Sequence, residues 1–351
     1  MARRKAADSR YGEAGVDIDK ATEALEGIKK MVRSTHTRNV LHDIGSFGAL
    51  LQLGPDITDP ILVTSIDGVG TKLKIAFSMN RHDTVGQDLV NHCVNDILVQ
   101  GAKPVAFLDY LAMGKLDPEV AKEVVSGMVL ACKENQCSLI GGETAEMPDF
   151  YREGEYDLAG CIIGVAERED LVDGTGISPG DVIIGLTSTG LHTNGYSLAR
   201  KVIFKTAGLT TKDRLPGTDT IVGDLLLEVH RSYLGCVYDL VKAKKIKGMV
   251  HITGGGFYDN IPRALHRGVK AIIDTNSWEP PPLFHYLEDV GEISREEMYR
   301  VFNMGIGFLL IVSPDDHEQI ENHIRKKGVD VRLIGHIEEG KGDLHLIIPG
   351  E

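Results

Sequence analysis

The chain lacks the two best-known glycine-rich signatures of nucleotide-binding proteins. It contains no Gly-x-x-x-x-Gly-Lys-Ser/Thr string and no Gly-x-Gly-x-x-Gly string. These strings mark P-loop and Rossmann sites, because their glycines let the backbone approach phosphate groups closely. If this chain binds a nucleotide, it does so with another architecture.

Cysteine pairs, positive charge and long apolar runs are also scarce. The five cysteines form no Cys-x-x-Cys pair, which favours reduced core thiols over disulfides or a zinc site. The net charge of −13 argues against a general nucleic-acid binder, which needs a basic face. No apolar run is long enough to span a bilayer, and no apolar segment follows the basic start. We therefore predict a cytoplasmic protein with neither a membrane nor a nucleic-acid partner.

The length and composition are those of a two-domain globular protein. The chain has 351 residues, of which 42% are hydrophobic and 25% are charged. The segment Asp173–Gly180 is rich in turn-forming residues and separates two sets of predicted strands and helices. We place the boundary there and predict domains at 1–172 and 173–351.

Helical and extended patterns alternate in both halves, which predicts an α/β (α+β) fold. In the first half we predict strands at 47–53, 61–66, 105–113, 138–140 and 158–166, with helices starting near Asp83 and covering 120–134. In the second half we predict strands at 181–187, 249–252, 269–274, 307–312, 331–336 and 344–348, with helices at 195–205 and 225–244.

The segment Ser65–Lys72 is the most informative stretch of the chain. It follows an apolar run and supplies Asp67, Gly68, Gly70, Thr71 and Lys72. A carboxylate there can hold a hard cation, and glycine backbone lets an anion come close. The lysine adds a positive charge for phosphate. These residues favour a metal–triphosphate site, although a tight turn with a solvated acid and lysine explains the segment alone equally well.

The predicted helix after this strand carries further oxygen ligands. Asn91 and Asn95 lie four residues apart, and Asp96 follows directly. We predict that they complete a Mg²⁺ shell begun by Asp67, because Mg²⁺ takes few protein carboxylates. The alternative for the asparagines is helix capping or surface polarity.

A second glycine-and-acid segment, Gly141–Pro148, follows another predicted strand. Gly141, Gly142 and Glu143 are predicted to bind the nucleotide cofactor, because ligands of α/β sheets bind at the ends of strands. Turn formation alone would also explain this segment.

Two segments of the second half have the composition of anion-binding loops. Thr187–Ser197 joins a strand to a helix start and offers small hydrogen-bond donors. His251–Phe257 contains three consecutive glycines, which favour a close ligand approach, although a flexible turn would also explain them. The predicted substrate-binding residues are Ser188, Thr189, Gly190, His192, Asn194, Gly195, Gly254 and Gly255.

Together these segments resemble the phosphoribosylformylglycinamidine cyclo-ligase family, also called aminoimidazole ribonucleotide synthetase. The resemblance runs from about Tyr11 to Ile348 and rests on the order of the motifs. They are 14–17, 65–72, 95–96, 141–148, 188–197 and 252–256.

The resemblance implies both a fold and a reaction. It implies a homodimer in which strands of two subunits close a β-barrel, with an N-terminal ATP, metal and dimerisation domain. It implies ATP-dependent ring closure of formylglycinamidine ribonucleotide to aminoimidazole ribonucleotide, with ADP and phosphate released, in purine biosynthesis. ATP and Mg²⁺ are the implied cofactors, and a monovalent cation is a further candidate.

The resemblance also suggests roles for particular residues. Lys72 would neutralise the triphosphate, and the Ser188–Ser197 loop would bind the ribose phosphate, with His192 as proton donor or oxyanion partner. His251 stands where relatives such as selenophosphate synthetase carry an aspartate, which makes it a candidate acid or base. We therefore predict His192, His251 and Lys72 as catalytic residues. The rival interpretations are a small-molecule kinase of the same superfamily and a non-catalytic nucleotide-binding dimer.

Overall fold

A computed structural model describes residues 28–44, 48–54 and 57–348 of the chain. The motif at 14–17 lies outside these residues. The chain divides into two compact units. The first unit comprises Met1–Thr58, Leu62–Val94 and Pro104–Val165. The second comprises Asp59–Ile61, Asn95–Lys103 and Ala166–Glu351. We describe each unit by itself.

The first unit is built on a four-stranded sheet with the strand order β1-β4-β2-β3. The strands are β1 (Pro60–Gly68), β2 (Lys103–Met113), β3 (Ser138–Glu146) and β4 (Tyr156–Glu167). Strands β2 and β3 run parallel, with Asp109 opposite Gly142. Leu62 and Ile66 of β1 are 59% and 73% exposed, so part of this sheet presents apolar side chains to its surroundings.

Within residues 57–348, three α-helices belong wholly or mainly to this unit: α1 (Leu73–Met79), α2 (Asp83–Leu98) and α3 (Pro118–Glu134). Helix α3 begins where the sequence predicts, because the Asp117 carboxylate caps it and Pro118 needs no hydrogen-bond acceptor at its first turn. Helix α2 packs on the sheet, where the thiol of Cys93 donates to the Gly160 carbonyl of β4. The apolar residues predicted to face inward from α2 are all fully buried: Leu89, Val90, Cys93, Val94, Ile97 and Leu98.

The second unit is built on a six-stranded sheet with the order β10-β7-β9-β5-β8-β6. The strands are β5 (Val182–Thr187), β6 (Gly248–His251), β7 (Val269–Asp274), β8 (Ile306–Val312), β9 (Val331–Glu339) and β10 (Asp343–Ile347). Pairing is antiparallel except between β7 and β10. Strand β8 is buried along its whole length.

Among the described residues, seven α-helices accompany this sheet. They are α4 (Tyr196–Arg200), α5 (Val222–Leu226), α6 (Leu234–Lys242), α7 (Gly256–Asn260), α8 (Pro282–Gly291), α9 (Arg295–Val301) and α10 (His317–Lys326). Helix α4 continues as a π-helical turn over Lys201–Thr206, so the predicted helix at 195–205 is confirmed. Within the described part of the chain, no helix combines the length and the apolar character that crossing a membrane requires.

Most predicted strands are confirmed, and three predictions are wrong. The predicted helix at 225–244 is interrupted between α5 and α6, where residues 228–233 are irregular. Residues 48–53 of the predicted strand at 47–53 make only an isolated bridge between Leu51 and Val40, and residue 47 lies outside the described residues. The predicted end of the strand at 138–140 is wrong, because β3 continues through Gly141–Glu143 in register with β2, which also excludes the alternative of a turn there.

Candidate functional site

Asp67 lies near the end of β1 with its carboxylate held by two neighbours. Its Oδ1 accepts a hydrogen bond from the Gly68 N–H at 2.7 Å, and its Oδ2 lies 2.7 Å from Nε2 of His92. The Asp67 side chain remains 41% exposed, whereas that of His92 is 4% exposed. The backbone then turns at Gly70, whose φ of +65° suits glycine because other residues are strained there. Asp67 is therefore an oriented and accessible carboxylate.

Lys72 is not accessible in the same way. Its ammonium lies 2.8 Å from Oδ1 of Asp88, and neither side chain has any exposed surface. The charge of Lys72 is thus matched inside the first unit by a carboxylate one helix away. This arrangement favours a role in anchoring the segment after Asp67 over the predicted direct contact with a triphosphate.

The predicted metal ligands Asn91 and Asn95 are buried, and their amide oxygens have partners. Asn91 Oδ1 accepts a hydrogen bond from Nδ2 of Asn135 at 2.8 Å. Asn95 Oδ1 accepts one from the backbone N–H of Tyr233 at 2.9 Å. The alternative of surface polarity is therefore wrong for both asparagines. Both oxygens stabilise the packing of α2, because a buried amide needs such partners.

A buried polar stripe on α2 was not predicted. Asp88, Asn91, His92 and Asn95 are all at most 5% exposed. Their spacing of three, one and three residues places them along one face of the helix. The sequence contains this signal, since polar residues at helical spacing inside an apolar helix indicate partners within the protein.

Gly141, Gly142 and Glu143 lie opposite Leu108, Asp109 and Tyr110 in the β2–β3 ladder. Burial raises the pKa of the Asp109 carboxyl from 3.8 to about 7, and the Glu143 charge adds to the increase. Asp109 was not predicted as a functional residue. The acids of this pair of strands therefore interact with each other, and their position in a continuous strand replaces the predicted loop.

In the second unit, the loop between β5 and α4 is fixed by hydrogen bonds within the loop and to neighbouring segments. The Ser188 hydroxyl donates to the Gly190 carbonyl at 2.9 Å, and the Thr189 hydroxyl donates to the Val229 carbonyl. Asn303 Nδ2 also donates to the Gly190 carbonyl, at 2.8 Å. The two hydroxyls predicted to bind substrate thus donate to carbonyls of the protein and fix the shape of the loop.

Asn194 brings this loop next to the glycine segment of the second unit. A Cβ atom on Gly254 would lie only 3.4 Å from Oδ1 of Asn194, so the two predicted substrate-binding segments adjoin. Nδ2 of Asn194 is buried and has no hydrogen-bond partner within the described chain. A buried amide donor without a partner is uncommon in proteins, which favours a ligand acceptor at this position.

His192 lies at the centre of the loop in a left-handed conformation, with φ of 60°. Its Nε2 accepts a hydrogen bond from the Thr189 N–H at 3.2 Å. A Cβ atom on Gly307 of β8 would lie 2.4 Å from Cε1 of His192, so only glycine leaves room for the ring. A strained backbone conformation that its surroundings hold in place is typical of functional sites.

Three buried histidines meet in the second unit. The rings of His192 and His230 stack with centroids 4.0 Å apart, and Nε2 of His230 lies 3.1 Å from Nε2 of His251. Nδ1 of His251 lies 2.8 Å from Oδ1 of Asp96. The structure therefore brings together His192, His251 and Asp96, which the sequence predicted separately as catalytic and metal-binding residues.

The three histidines have nitrogens that lie within 4.8 Å of one another, which is close enough to consider a metal ion. N–H groups already point at two of these rings. The Thr189 N–H donates to Nε2 of His192, and Nδ2 of Asn95 lies 3.2 Å from Nε2 of His230. We therefore interpret the cluster as a set of hydrogen-bonded rings.

His230 is a further residue that sequence reasoning missed. It lies in the irregular segment between α5 and α6, which the sequence predicted to be helical. A weak signal is present in the sequence, because Ser232 stands just before the apolar residues of α6. In the structure, its hydroxyl accepts a hydrogen bond from the Leu234 N–H at 3.3 Å. Serine before an apolar run is typical of a helix start, and it indicates a new helix at this point.

Comparison with known proteins identifies the family. Residues 48–166 match the family model of the AIR synthase related protein N-terminal domain, and residues 178–347 match that of its C-terminal domain. The phosphoribosylformylglycinamidine cyclo-ligase of Oleidesulfovibrio alaskensis is 51% identical over 331 residues, or 93% of each chain. The enzyme of the same name from Thermoanaerobacter pseudethanolicus is 50% identical, over 96% of this chain and 99% of its own. The chain belongs to the phosphoribosylformylglycinamidine cyclo-ligase family.

The fold extends beyond the cyclo-ligase family. The thiamine-monophosphate kinase of Stenotrophomonas maltophilia K279a has a TM-score of 0.68 over 91% of this chain and 95% of its own. Its sequence identity is 17%, so this likeness shows a common fold and no more. The predicted two-domain fold with mixed α/β content is confirmed by the two matched domains.

Proposed function

We propose that this protein catalyses the ATP-dependent ring closure of formylglycinamidine ribonucleotide to aminoimidazole ribonucleotide in purine biosynthesis, with release of ADP and phosphate. The observation that carries this proposal is the identity of about one half, over nearly the whole chain, to named cyclo-ligases. The kinase alternative is not favoured, because the kinase of similar fold is only 17% identical. A non-catalytic dimer is not favoured, because the relatives of about one-half identity are named as enzymes.

The reaction needs activation of an oxygen that leaves poorly. The formyl oxygen of the substrate attacks the γ-phosphorus of ATP, and ADP leaves to give an iminophosphate. An amidine nitrogen then attacks the activated carbon, and the C–O bond breaks with loss of phosphate. The protein's contribution is chiefly to position the reactants and to neutralise charge.

In the first unit we propose that the segment from Asp67 to Thr71 binds ATP with Mg²⁺. The accessible carboxylate of Asp67, oriented by the Gly68 N–H and by His92, has the oxygen chemistry that Mg²⁺ prefers. When bound, the ion neutralises charge on the phosphate oxygens. Lys72 holds the segment through its buried pair with Asp88. The partners of Asn91 and Asn95 favour structural roles. Asp96 belongs to the second unit, where its Oδ1 lies 2.8 Å from Nδ1 of His251.

In the second unit we propose that the Ser188–Gly195 loop and the Gly254–Gly255 segment bind the ribose phosphate. Support comes from the contact of these segments at Asn194, whose buried Nδ2 has no acceptor among the described residues. A phosphate oxygen or a substrate hydroxyl would satisfy this donor.

We propose that His251 acts as an acid or base for the ring closure. Its Nδ1 lies 2.8 Å from the Asp96 carboxylate, which orients the ring. Nε2 of His192 accepts the Thr189 N–H within the loop, and its ring fills the space beside Gly307. We therefore propose that His192 shapes the loop.

We also propose a homodimer in which the four-stranded sheet of the first unit pairs with a second copy. Support comes from the apolar side chains that this sheet exposes, Leu62 at 59% and Ile66 at 73%. Exposed apolar residues on one sheet are typical of association surfaces. An intersubunit barrel, a requirement for a monovalent cation and a cytoplasmic location remain predictions.

One assay distinguishes the three functions. Purified protein is incubated with Mg-ATP and formylglycinamidine ribonucleotide, and both aminoimidazole ribonucleotide and ADP are measured. We expect equimolar formation of the two products. ATP consumption without ring product would favour a kinase, and no turnover would favour a non-catalytic protein. Asp67→Asn is expected to lower turnover by at least ~100-fold through lost charge stabilisation.

A further inference from the structure

His230 contacts both of the histidines that the sequence predicted as catalytic. It is completely buried, and it lies in the irregular segment between α5 and α6. Its ring stacks on that of His192 with an interplanar angle of 20°. Its Nε2 lies 3.1 Å from Nε2 of His251, within hydrogen-bond distance.

These two contacts depend on different properties of the ring. The contact with His192 is made by the flat faces of two rings and needs only an aromatic side chain. The contact with His251 is made at the ring edge and needs a nitrogen that can form a hydrogen bond. A substitution can therefore keep one contact while removing the other.

The ring of His230 is also fixed from two other directions. Its Nδ1 lies 3.2 Å from the hydroxyl of Thr193, and its Nε2 lies 3.2 Å from Nδ2 of Asn95. Asn95 cannot flip without losing its hydrogen bonds, because Nδ2 donates to the Arg231 carbonyl and Oδ1 accepts from the Tyr233 N–H. Contacts at one ring face and at both ring nitrogens fix the orientation of His230. Its ring can therefore fix the orientation of the rings of His192 and His251.

We propose that His230 is a positioning residue for the ring closure, and this inference rests on the proposed function. By stacking, it holds His192 and therefore the shape of the Ser188–Gly195 loop that binds the substrate. By its hydrogen bond, it holds the ring of His251 at the angle from which that residue acts. His230 thus couples the binding loop to the chemical step without touching the substrate.

The test separates the two contacts with two substitutions. His230→Phe keeps the aromatic face and removes the nitrogens, so kcat is expected to fall about tenfold while the KM for formylglycinamidine ribonucleotide stays within about twofold. His230→Gln keeps a hydrogen-bonding group and removes the ring, so this KM is expected to rise about tenfold with a smaller change in kcat. The KM for ATP is expected to change little in both variants.

His285 provides the matched control, because its exposed ring pairs with Glu279 on the protein surface. His285→Phe and His285→Gln are expected to leave both parameters unchanged. Unfolding midpoints of all four variants are measured alongside. Should His230→Phe unfold at the assay temperature, Thr193→Val, which removes the hydroxyl facing Nδ1, perturbs the same ring and is expected to lower kcat.

The outcomes distinguish this inference from the proposed function. An active wild-type protein whose two His230 variants differ in the expected way supports the positioning role. Parallel changes in kcat and KM in both variants, or an unchanged kcat in Thr193→Val, would overturn it and make His230 a packing residue. A wild-type protein that forms no ring product would instead overturn the proposed function.

Discussion

At the scale of single residues, the ammonium of Lys72 and the carboxylate of Asp88 form an ion pair with no exposed surface. Removing one member of a buried pair leaves the other charge poorly compensated, which destabilises a protein by about 3–5 kcal/mol. We expect this loss for Lys72→Met in chemical denaturation. Lys74 pairs with Glu155 but is 40% exposed, so Lys74→Met serves as the control and is expected to change stability by less than about 1 kcal/mol.

If Lys72→Met unfolds at the same denaturant concentration as the wild type, the buried pair does not anchor the segment. The result also separates two roles for Lys72. A stable variant with much weaker ATP binding would restore the direct contact with the triphosphate that the sequence predicted.

Asp109 gives a second prediction at the residue scale, because its pKa is raised to about 7 by burial. Between pH 4 and 7 the folded protein keeps a proton that the unfolded chain releases, so this residue makes the free energy of unfolding fall as pH rises. Asp109→Asn is expected to remove that part of the pH dependence. Relative to the wild type, Asp109→Asn is expected to be more stable at pH 7.5 than at pH 4, by at most about 4 kcal/mol, and by less because the Asp109 side chain is partly exposed.

The measurement is urea denaturation of both proteins across this pH range, with Asp315→Asn at an exposed position as the control. A constant difference between wild type and Asp109→Asn at every pH would contradict the raised pKa.

At the scale of secondary structure, helix α3 tests how far a local signal determines an element. The Asp117 carboxylate accepts hydrogen bonds from the N–H groups of Glu119 and Val120, at 3.0 and 3.3 Å. Asp117→Ala removes both and is expected to lower stability by about 1 kcal/mol, whereas Asp117→Ser is expected to retain most of it. Thermal unfolding measures the difference, and equal midpoints for the two variants would contradict the capping role.

Local signals of this kind explain which elements the sequence predicts well. Helix α3 has a cap, a proline and a clear apolar face, and its predicted position agrees with the structure. The break before α6 is different, because residues 228–233 contain neither glycine nor proline. It is stabilised by contacts distant in sequence, such as the hydrogen bond from the Tyr233 N–H to Asn95. Propensity cannot reveal such contacts, and His230 was missed for this reason.

In the candidate site too, local sequence signals could be predicted, whereas contacts between residues distant in sequence could not. The glycine-containing loops that carry Asn194 and Gly254 could be predicted, because their composition indicates close backbone approach. The burial of Lys72, Asn91 and Asn95 could not, since it depends on partners in other elements. Motifs thus predicted the segments of the site, while packing decided which side chains remain accessible.

At the scale of the whole molecule, the proposed dimer gives a prediction of mass. Leu62→Lys combined with Ile66→Lys places two charges on the exposed apolar face of β1, where desolvating them opposes association. We expect the wild type to sediment with twice the chain mass and the double variant to sediment with the mass of one chain. Leu333→Lys, on the sheet of the second unit, is the control and is expected to leave the mass unchanged.

A wild-type protein that sediments as one chain would contradict the proposed dimer, as would a double variant that keeps twice the chain mass. Neither result would affect the assignment to the cyclo-ligase family, which rests on sequence identity.

The central claim is that the protein uses ATP to turn the formyl oxygen of its substrate into a phosphate leaving group. The most direct test supplies formylglycinamidine ribonucleotide labelled with ¹⁸O at the formyl position, together with Mg-ATP, and analyses the released phosphate by mass spectrometry. The account predicts one labelled oxygen in each phosphate molecule formed with aminoimidazole ribonucleotide. Unlabelled phosphate, with the label found in water, would contradict it.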